Sequence, residues 1–149
     1  MNVLVFLDGV LKNNSNAPIL QGVALYRSLQ AQRRTLILCD ERELTEVWLR
    51  ENKIVRIDDL LCMEDFDFDD PFSLVEYCRS KGTVELVVTA DPELATTILD
   101  SGIPTLLFLS PKYIRPEFRP DAPRGAKAWA DLTASLDKQD ELYREDPRA

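Results

Sequence analysis

The segment LVFLDGVL, residues 4–11, is the stretch of sequence that decides the fold class. Its first four residues are apolar without alternation, which is typical of a strand buried on both faces of a parallel sheet. Asp8 and Gly9 then end the apolar run with turn-forming residues. The same succession of a short apolar run and a helical pattern recurs along the chain. We therefore predict an α/β domain with a doubly wound, five-stranded, mostly parallel sheet.

The other elements are assigned outward from this first strand. Further strands are predicted at residues 35–39, 54–57, 84–88 and 105–109, and helices at residues 18–32, 40–53, 70–82 and 91–102. Residues 58–63 are expected to form a helical turn, and the acidic run at residues 64–70 is expected to form a loop.

Helix ends are predicted from acid, proline and glycine positions. The pairs Asp70-Pro71 and Asp91-Pro92 place an N-cap acid before a proline at the first helical position. Asp40, with Glu43 three residues later, predicts a capping box for the second helix. We expect Gly82 to be a left-handed C-cap, and Gly102 to close the helix that begins after Asp91.

The C-terminal part of the chain is predicted to be an extension of the same domain. Residues 1–110 form the α/β core, and residues 111–149 contain a proline-rich arm and a last helix, at residues 126–143, packed on that core. Arginine and aromatic side chains are frequent anchors of interfaces. The arm therefore supplies candidate partner-binding residues: Lys112, Tyr113, Arg115, Phe118 and Arg119. Alternatively, its aromatic residues staple the arm across the sheet edge.

Charge and composition limit the partners. The 149 residues carry a formal net charge of -8 at pH 7, which makes nucleic acid an unlikely partner because phosphates repel an acidic surface. No apolar run approaches the roughly 20 residues that a membrane helix needs, and the N-terminus lacks the features of a signal peptide. We therefore expect no membrane association, and a protein as the partner.

Cysteine and histidine usage limits the chemistry. The three cysteines, Cys39, Cys62 and Cys78, are widely spaced and odd in number, which is typical of free thiols in a reducing cytoplasm. The chain has no histidine, which excludes histidine general bases and most zinc sites. We expect a cytoplasmic protein whose chemistry, if any, comes from carboxylates, lysines, thiols or hydroxyls.

Two segments and a third shorter one resemble the haloacid dehalogenase-like (HAD) superfamily. They are LVFLDGVL, TLILCD at residues 35–40 and VELVVTADPELATTILDSGIPTLLF at residues 84–108, in family order and over most of residues 1–110. The first is similar to the family motif D-x-D-G-[TV]-L, and the last to its fourth motif. The resemblance implies a HAD-like Rossmannoid fold, here without a cap domain after the first strand.

Carried over by position, the resemblance implies a site that lacks its reactive group. Phe6 stands where the family has its nucleophilic Asp, and Asp8 matches the general acid/base. Cys39 or Asp40 falls where the family has a Ser or Thr that binds the phosphoryl group. Asp91 matches the magnesium-binding acid.

Two further family positions are also changed. Asp69 and Asp70 occupy the region of the phosphate-binding Lys, and Ala95 stands where a second acid is usual.

These departures predict a catalytically degenerate HAD-like protein that acts as a binding or regulatory module. Asp8 is then a vestigial acid/base candidate, Asp8 and Asp91 are candidate metal ligands, and the cofactor is none or weakly bound Mg²⁺. The structural alternatives are a turn residue for Asp8, an N-cap for Asp91, a buried thiol for Cys39 and core packing for Phe6.

A second resemblance keeps an enzymatic alternative open. TADPEL, at residues 89–94, is similar to the S-G-D-x-D-F motif of PIN/NYN-like nucleases, although the Asn that usually follows the first Asp-Gly is absent. Asp8, Asp91 and Glu93, with an acid from residues 64–70, could hold two metal ions for phosphodiester hydrolysis. The alternative function is a metal-dependent phosphoester hydrolase, either of this kind or a divergent HAD phosphatase.

The predicted topology places three candidate residues at the same edge of the sheet. Asp8, Cys39 and Asp91 each lie at or just after the end of a predicted strand. In doubly wound sheets the ligand crevice lies outside the carboxyl ends of the strands, where the strand order reverses. We therefore expect these three residues to line one crevice.

Overall fold

The computed structural model describes residues 1–111. These residues form an α/β domain in which one β-sheet lies between two layers of helices. The five strands are all parallel and lie in the order β3-β2-β1-β4-β5. Their bounds are β1 Asn2–Phe6, β2 Arg34–Cys39, β3 Asp59–Cys62, β4 Val84–Thr89 and β5 Thr105–Leu107. The helices are α1 Leu20–Gln30, α2 Arg42–Glu51, α3 Met63–Phe66, α4 Pro71–Lys81 and α5 Pro92–Asp100. The predicted fold class is confirmed at this level.

The central strand β1 is apolar throughout because both of its faces are covered. Val3 and Val5 belong to the core on the side of α1 and α2, whereas Leu4 belongs to the core on the side of α4 and α5. Tyr26 of α1 and Trp48 of α2 complete the first core. Alternate residues of a strand point to opposite faces, so a strand between two helical layers needs apolar residues at every position.

The strand order creates a switch point beside β1. The chain runs from β1 outward to β2 and β3, and then returns to the other side of β1 to form β4 and β5. The ends of β1 and β4 are therefore the place where a doubly wound sheet opens a crevice. Between β1 and β2 the chain contains a loop and α1, with no inserted cap domain.

Two predicted helix starts are confirmed. The Asp70 carboxylate accepts a hydrogen bond from the Phe72 amide at 3.0 Å, and Pro71 follows at the first helical position. Asp91 is the N-cap of α5 in the same way. Gly102 has a φ of 92° just after α5, as a closing glycine requires, but Gly82 has a φ of 173°. The left-handed C-cap at Gly82 was thus a wrong prediction, because the chain extends directly from α4 into β4.

The capping box of α2 was also predicted wrongly. The N-cap of this helix is Glu41, and neither Asp40 nor Glu41 caps it with its side chain. Instead, Glu64 of α3 accepts a hydrogen bond from the Arg42 amide at 2.8 Å. Arg42 also bonds Asp65 of α3, with Nη2 2.7 Å from a carboxylate oxygen. The start of α2 is therefore capped from a distant part of the chain.

The third strand lies later in the sequence than predicted. Residues 54–57 form a loop rather than a strand, and residues 59–62, expected to be helical, are β3; α3 then occupies part of the expected acidic loop. Ile54 is 4% exposed, so its apolar character serves packing under α2 and not pairing. Asp58 accepts a hydrogen bond from the Thr35 amide at 2.8 Å and fixes where pairing with β2 begins.

The remaining differences are small or concern what lies beyond the described part. β5 ends at Leu107 and α1 begins at Leu20, each about two residues inside the predicted bounds. Among the helices of residues 1–111, none is both long and apolar enough to span a bilayer. The predicted arm and last helix lie outside the described residues.

Candidate functional site

A cavity of about 140 Å³ lies at the carboxyl ends of β1, β2 and β4. We call it the crevice, and ten of the described residues line it: Phe6, Asp8, Leu38, Cys39, Asp40, Met63, Pro71, Thr89, Asp91 and Leu94. The prediction that Asp8, Cys39 and Asp91 share one crevice is confirmed. The roles assigned to them there stay predictions.

Phe6 contributes a phenyl ring to the wall of the crevice. It is the last residue of β1, is partly buried and packs against the core on the side of α4 and α5. A phenyl ring has neither a nucleophilic atom nor a metal-binding atom. The strand position nearest to the switch point therefore supplies packing and not covalent chemistry.

A tight turn after β1 positions Asp8. Gly9 has a φ of 86°, a conformation that a residue with a Cβ rarely adopts. The amides of Leu11 and Lys12 both donate to the Leu7 carbonyl at 3.0 Å, and the Gly9 amide donates to the Lys12 carbonyl at 2.8 Å. The Asp8 side chain is 49% exposed, so it stays accessible from the crevice side.

Lys12 is a cation at this site that the sequence-based prediction did not include. Its Nζ lies 3.7 Å from Oδ1 of Asp8. The resemblance to the HAD superfamily implies a phosphate-binding lysine near Asp69 and Asp70, where the structure has the acid-capped start of α4 instead. The spacing of four residues between Asp8 and Lys12 was the available signal, but it becomes informative only once the turn is known.

Asp40 responds to the charges around it. Partial burial raises its pKa above the ordinary range, and the negative charges of Asp8 and Glu41 raise it further. Lys12 acts in the opposite direction. Charges in the loop after β1 therefore act on the carboxylate at the end of β2.

The Asp91 side chain caps the N-terminus of α5. Its Oδ1 accepts hydrogen bonds from the Glu93 amide at 2.9 Å and the Leu94 amide at 3.2 Å. Its own amide donates to the Thr89 hydroxyl at 3.2 Å. Glu93 does not line the crevice; with Asp70 and Asp91 it lines a separate shallow pocket.

The magnesium site expected at Asp8 and Asp91 stays a prediction, although both residues line the crevice. Mg²⁺ demands near-octahedral oxygen ligands and is usually held by one or two carboxylates besides waters. Within residues 1–111 no group of three Asp, Glu, His or Cys side chains is placed to hold a metal ion. Asp8 is next to a lysine, and Asp91 bonds helix amides.

Cys39 lies beside a second cysteine, on the adjacent strand β3. It is the last residue of β2, and its Sγ lies 2.8 Å from Sγ of Cys62, the last residue of β3. Both side chains are buried. Burial raises the pKa of the Cys39 thiol, so this residue offers the crevice a neutral thiol where the HAD motif has the hydroxyl of a Ser or Thr.

The remaining candidate residues lie beyond the described part of the chain. They are Lys112, Tyr113, Arg115, Phe118 and Arg119, and their role in binding a partner stays a prediction.

Comparison with known proteins leaves the fold as the basis of interpretation. No protein-family model, no curated protein and no solved structure matches this chain. The crevice itself therefore carries the functional argument.

Proposed function

We propose that this chain is a catalytically degenerate HAD-like protein that acts as a binding or regulatory module. The observation that carries the proposal is Phe6, whose ring lines the crevice where covalent phosphoryl transfer would need a carboxylate. Removing the nucleophile from such a mechanism abolishes the intermediate, and with it the reaction route.

The charges at the crevice support the same conclusion. Asp8, Asp40 and Asp91 all line it, and Lys12 forms an ion pair with Asp8. A phosphoryl substrate brings at least one negative charge, and stabilising its transfer requires donors and cations around the phosphate. The described crevice instead presents three carboxylates, which disfavour a phosphorylated ligand.

Phosphatase turnover tests the proposal. Pure protein with p-nitrophenyl phosphate and Mg²⁺ is expected to release no more phosphate than its Asp8→Asn variant. Magnesium-dependent turnover that disappears in Asp8→Asn, with unchanged thermal stability, overturns the proposal. The Asp8 side chain is about half exposed, so this substitution is expected to leave the fold intact.

A metal-dependent phosphoester hydrolase is the second candidate, because Asp8 and Asp91 line the same cavity. Hydrolysis by two metal ions activates water and needs no protein nucleophile, so Phe6 does not oppose it. The test is Mn²⁺-dependent cleavage of single-stranded RNA by the unmodified protein and by Asp8→Asn and Asp91→Asn. Asparagine is also a good N-cap, so Asp91→Asn removes the charge while α5 keeps its cap. Cleavage lost in both variants favours the hydrolase over the binding module.

We further propose a cytoplasmic location and a protein partner bound through the arm. The charge of -8 supports a protein over nucleic acid. The double substitution Arg115→Ala and Arg119→Ala is expected to weaken capture of the co-purifying partner and to leave the melting temperature unchanged. Unchanged capture contradicts the assignment of the arm.

A further inference from the structure

The last residues of β2 and β3 form a pair of thiols. Cys39 and Cys62 are register partners in adjacent parallel strands, and they are 23 positions apart in sequence. Both side chains belong to the core on the side of α1 and α2, so they leave the sheet on the same face. Their sulfur atoms are 2.8 Å apart.

The backbone around the pair is compatible with a covalent bond between the sulfurs. Neighbouring strands lie about 4.8 Å apart, which falls inside the range of Cα separations that disulfides span. The bonded distance is about 2.05 Å, so the sulfurs need to approach by less than about 1 Å. A rotation of the two side chains suffices, and the sheet register need not change.

We propose that Cys39 and Cys62 are a reversible dithiol–disulfide site in the wall of the crevice, oxidised by a small peroxide. The oxidant would reach Cys39 first, because Cys39 lines the crevice, whereas Cys62 is completely buried. The pair is distinct from the carboxylate site and does not depend on any hydrolase or binding role of Asp8 or Asp91.

The reaction balances with one peroxide per pair. The Cys39 sulfur attacks one oxygen of hydrogen peroxide, the O–O bond breaks, and water leaves a sulfenic acid on Cys39. The Cys62 sulfur then attacks the Cys39 sulfur, the S–O bond breaks, and a second water carries away the Cys62 proton. Two thiols lose two electrons, and the peroxide gains them. A dithiol reductant reverses the reaction by thiol–disulfide exchange.

The burial of the two thiols limits both the size of the oxidant and the rate of oxidation. Cys39 is only 6% exposed, which excludes a bulky disulfide such as oxidised glutathione from its sulfur. Burial also raises the pKa of Cys39 and of Cys62, so the reactive thiolate is scarce at neutral pH. We expect oxidation to be slower than that of an exposed cysteine, and to depend on proximity for the second step.

Oxidation has a structural consequence for the crevice. The disulfide joins the ends of β2 and β3 and closes a loop that contains α2. Closing a loop of this kind restricts the unfolded chain and stabilises the fold. It also removes the Cys39 thiol from the crevice wall.

Cys78 supplies an internal control. It is buried in α4, in the core on the opposite face of the sheet, and burial raises its pKa to about 11. Its sulfur has no cysteine on its own side of the sheet. Cys78 should therefore stay reduced when the pair is oxidised.

Thiol counting on the full chain tests the site. Folded protein is treated with dilute hydrogen peroxide, quenched, unfolded and titrated with a thiol reagent. The three thiols should fall to one, with no gain of oxygen in the intact mass, a peptide cross-linked between Cys39 and Cys62, and a raised melting temperature. Dithiothreitol should restore all three thiols. Cys78→Ser should fall from two thiols to none.

The contrary results are equally definite. Retention of all three thiols, a cross-link that involves Cys78, or oxidation to sulfinic acid without a cross-link overturns the proposal. Phenylarsine oxide, which binds paired thiols, provides a second readout on the reduced protein. It should bind the unmodified chain and Cys78→Ser but not Cys62→Ala, and equal binding to Cys62→Ala contradicts the pair.

Discussion

Asp8 and Asp91 occupy equivalent places in the sheet but do different work. Each lies two residues beyond the end of a strand, β1 for Asp8 and β4 for Asp91, and both line the crevice. Asp91 leads directly into α5 and bonds the first helical amides, whereas Asp8 leads into a glycine turn beside Lys12. The two acids lie at the same distance from their strands, so the element that follows each acid decides its structural role. A following helix uses the carboxylate as its cap, whereas a following turn leaves it outside the backbone hydrogen bonds.

The largest loss of stability is expected from a substitution at Gly22 of α1, which packs closely against the loop that contains Asp8. A Cβ at Gly22 would lie 1.6 Å from the Val10 carbonyl oxygen, so the loop and α1 would have to move apart. Gly22→Ala should lower the free energy of unfolding by about 3 kcal/mol, measured by urea denaturation.

Gly82→Ala is the matched control for this change. A Cβ at Gly82 would meet only the Asn2 side chain, at 3.6 Å, and the backbone there is extended. Its effect should stay within about 0.5 kcal/mol. Equal losses for the two variants would mean that the loop after β1 is not held by this close approach.

The next effect concerns the cap of α5. Asp91→Ala should cost about 1 kcal/mol of stability because two amides lose their acceptor, whereas Asp91→Asn should retain most of it. Asp8→Ala should cost less than about 0.5 kcal/mol, since its ion pair with Lys12 is at the surface. Urea denaturation of the three variants checks the order, and a costlier Asp8→Ala would reverse the roles assigned to the two acids.

The smallest effect is electrostatic and concerns the Asp8 side of the crevice. The raised pKa of Asp40 should fall in Asp8→Asn, which removes a negative neighbour, and rise in Lys12→Met, which removes a positive one. Carboxyl chemical shifts followed through a pH titration measure both changes. Shifts of the Asp40 pKa in the opposite directions would contradict the electrostatic influence of Asp8 and Lys12 on Asp40.

The same pKa determines a pH dependence of stability. Because the folded-state pKa of Asp40 is above its unfolded value, the folded chain binds more protons between the two values. The contribution of Asp40 to stability should therefore fall as pH rises through that window. Asp40→Asn should remove this slope, and the change should be small because Asp40 is exposed to solvent. Unfolding by urea at several pH values checks it, and a rising contribution would be contradictory.

The parts of the fold that could be predicted from sequence are those fixed by local chemistry. The apolar run of β1 and the Asp-Pro starts of α4 and α5 each contain their own signal. The cap of α2 and the position of β3 could not be predicted, because Glu64 and Asp58 act on residues more than twenty positions away. Such contacts exist only after the sheet has formed.

The candidate site shows the same division. Parallel topology alone brought Asp8, Cys39 and Asp91 to one edge, so their shared crevice could be predicted. The proximity of Lys12 to Asp8 depends on the turn at Gly9, and the pairing of Cys39 with Cys62 depends on the register of β2 and β3. The four-residue spacing of Asp8 and Lys12 becomes informative only once the turn is known, and no spacing along the chain indicates the Cys39–Cys62 pair.

We propose that the crevice cannot form a covalent phosphoryl intermediate, because Phe6 stands where the resemblance to the HAD superfamily implies a nucleophilic Asp. Intact-mass spectrometry after incubation with p-nitrophenyl phosphate and Mg²⁺, quenched in acid to preserve an acyl phosphate, tests this most directly. We expect an unchanged mass for the unmodified protein and for Asp8→Asn alike. A mass increase of one phosphoryl group, located on Asp8 by peptide mapping and absent from Asp8→Asn, would contradict it.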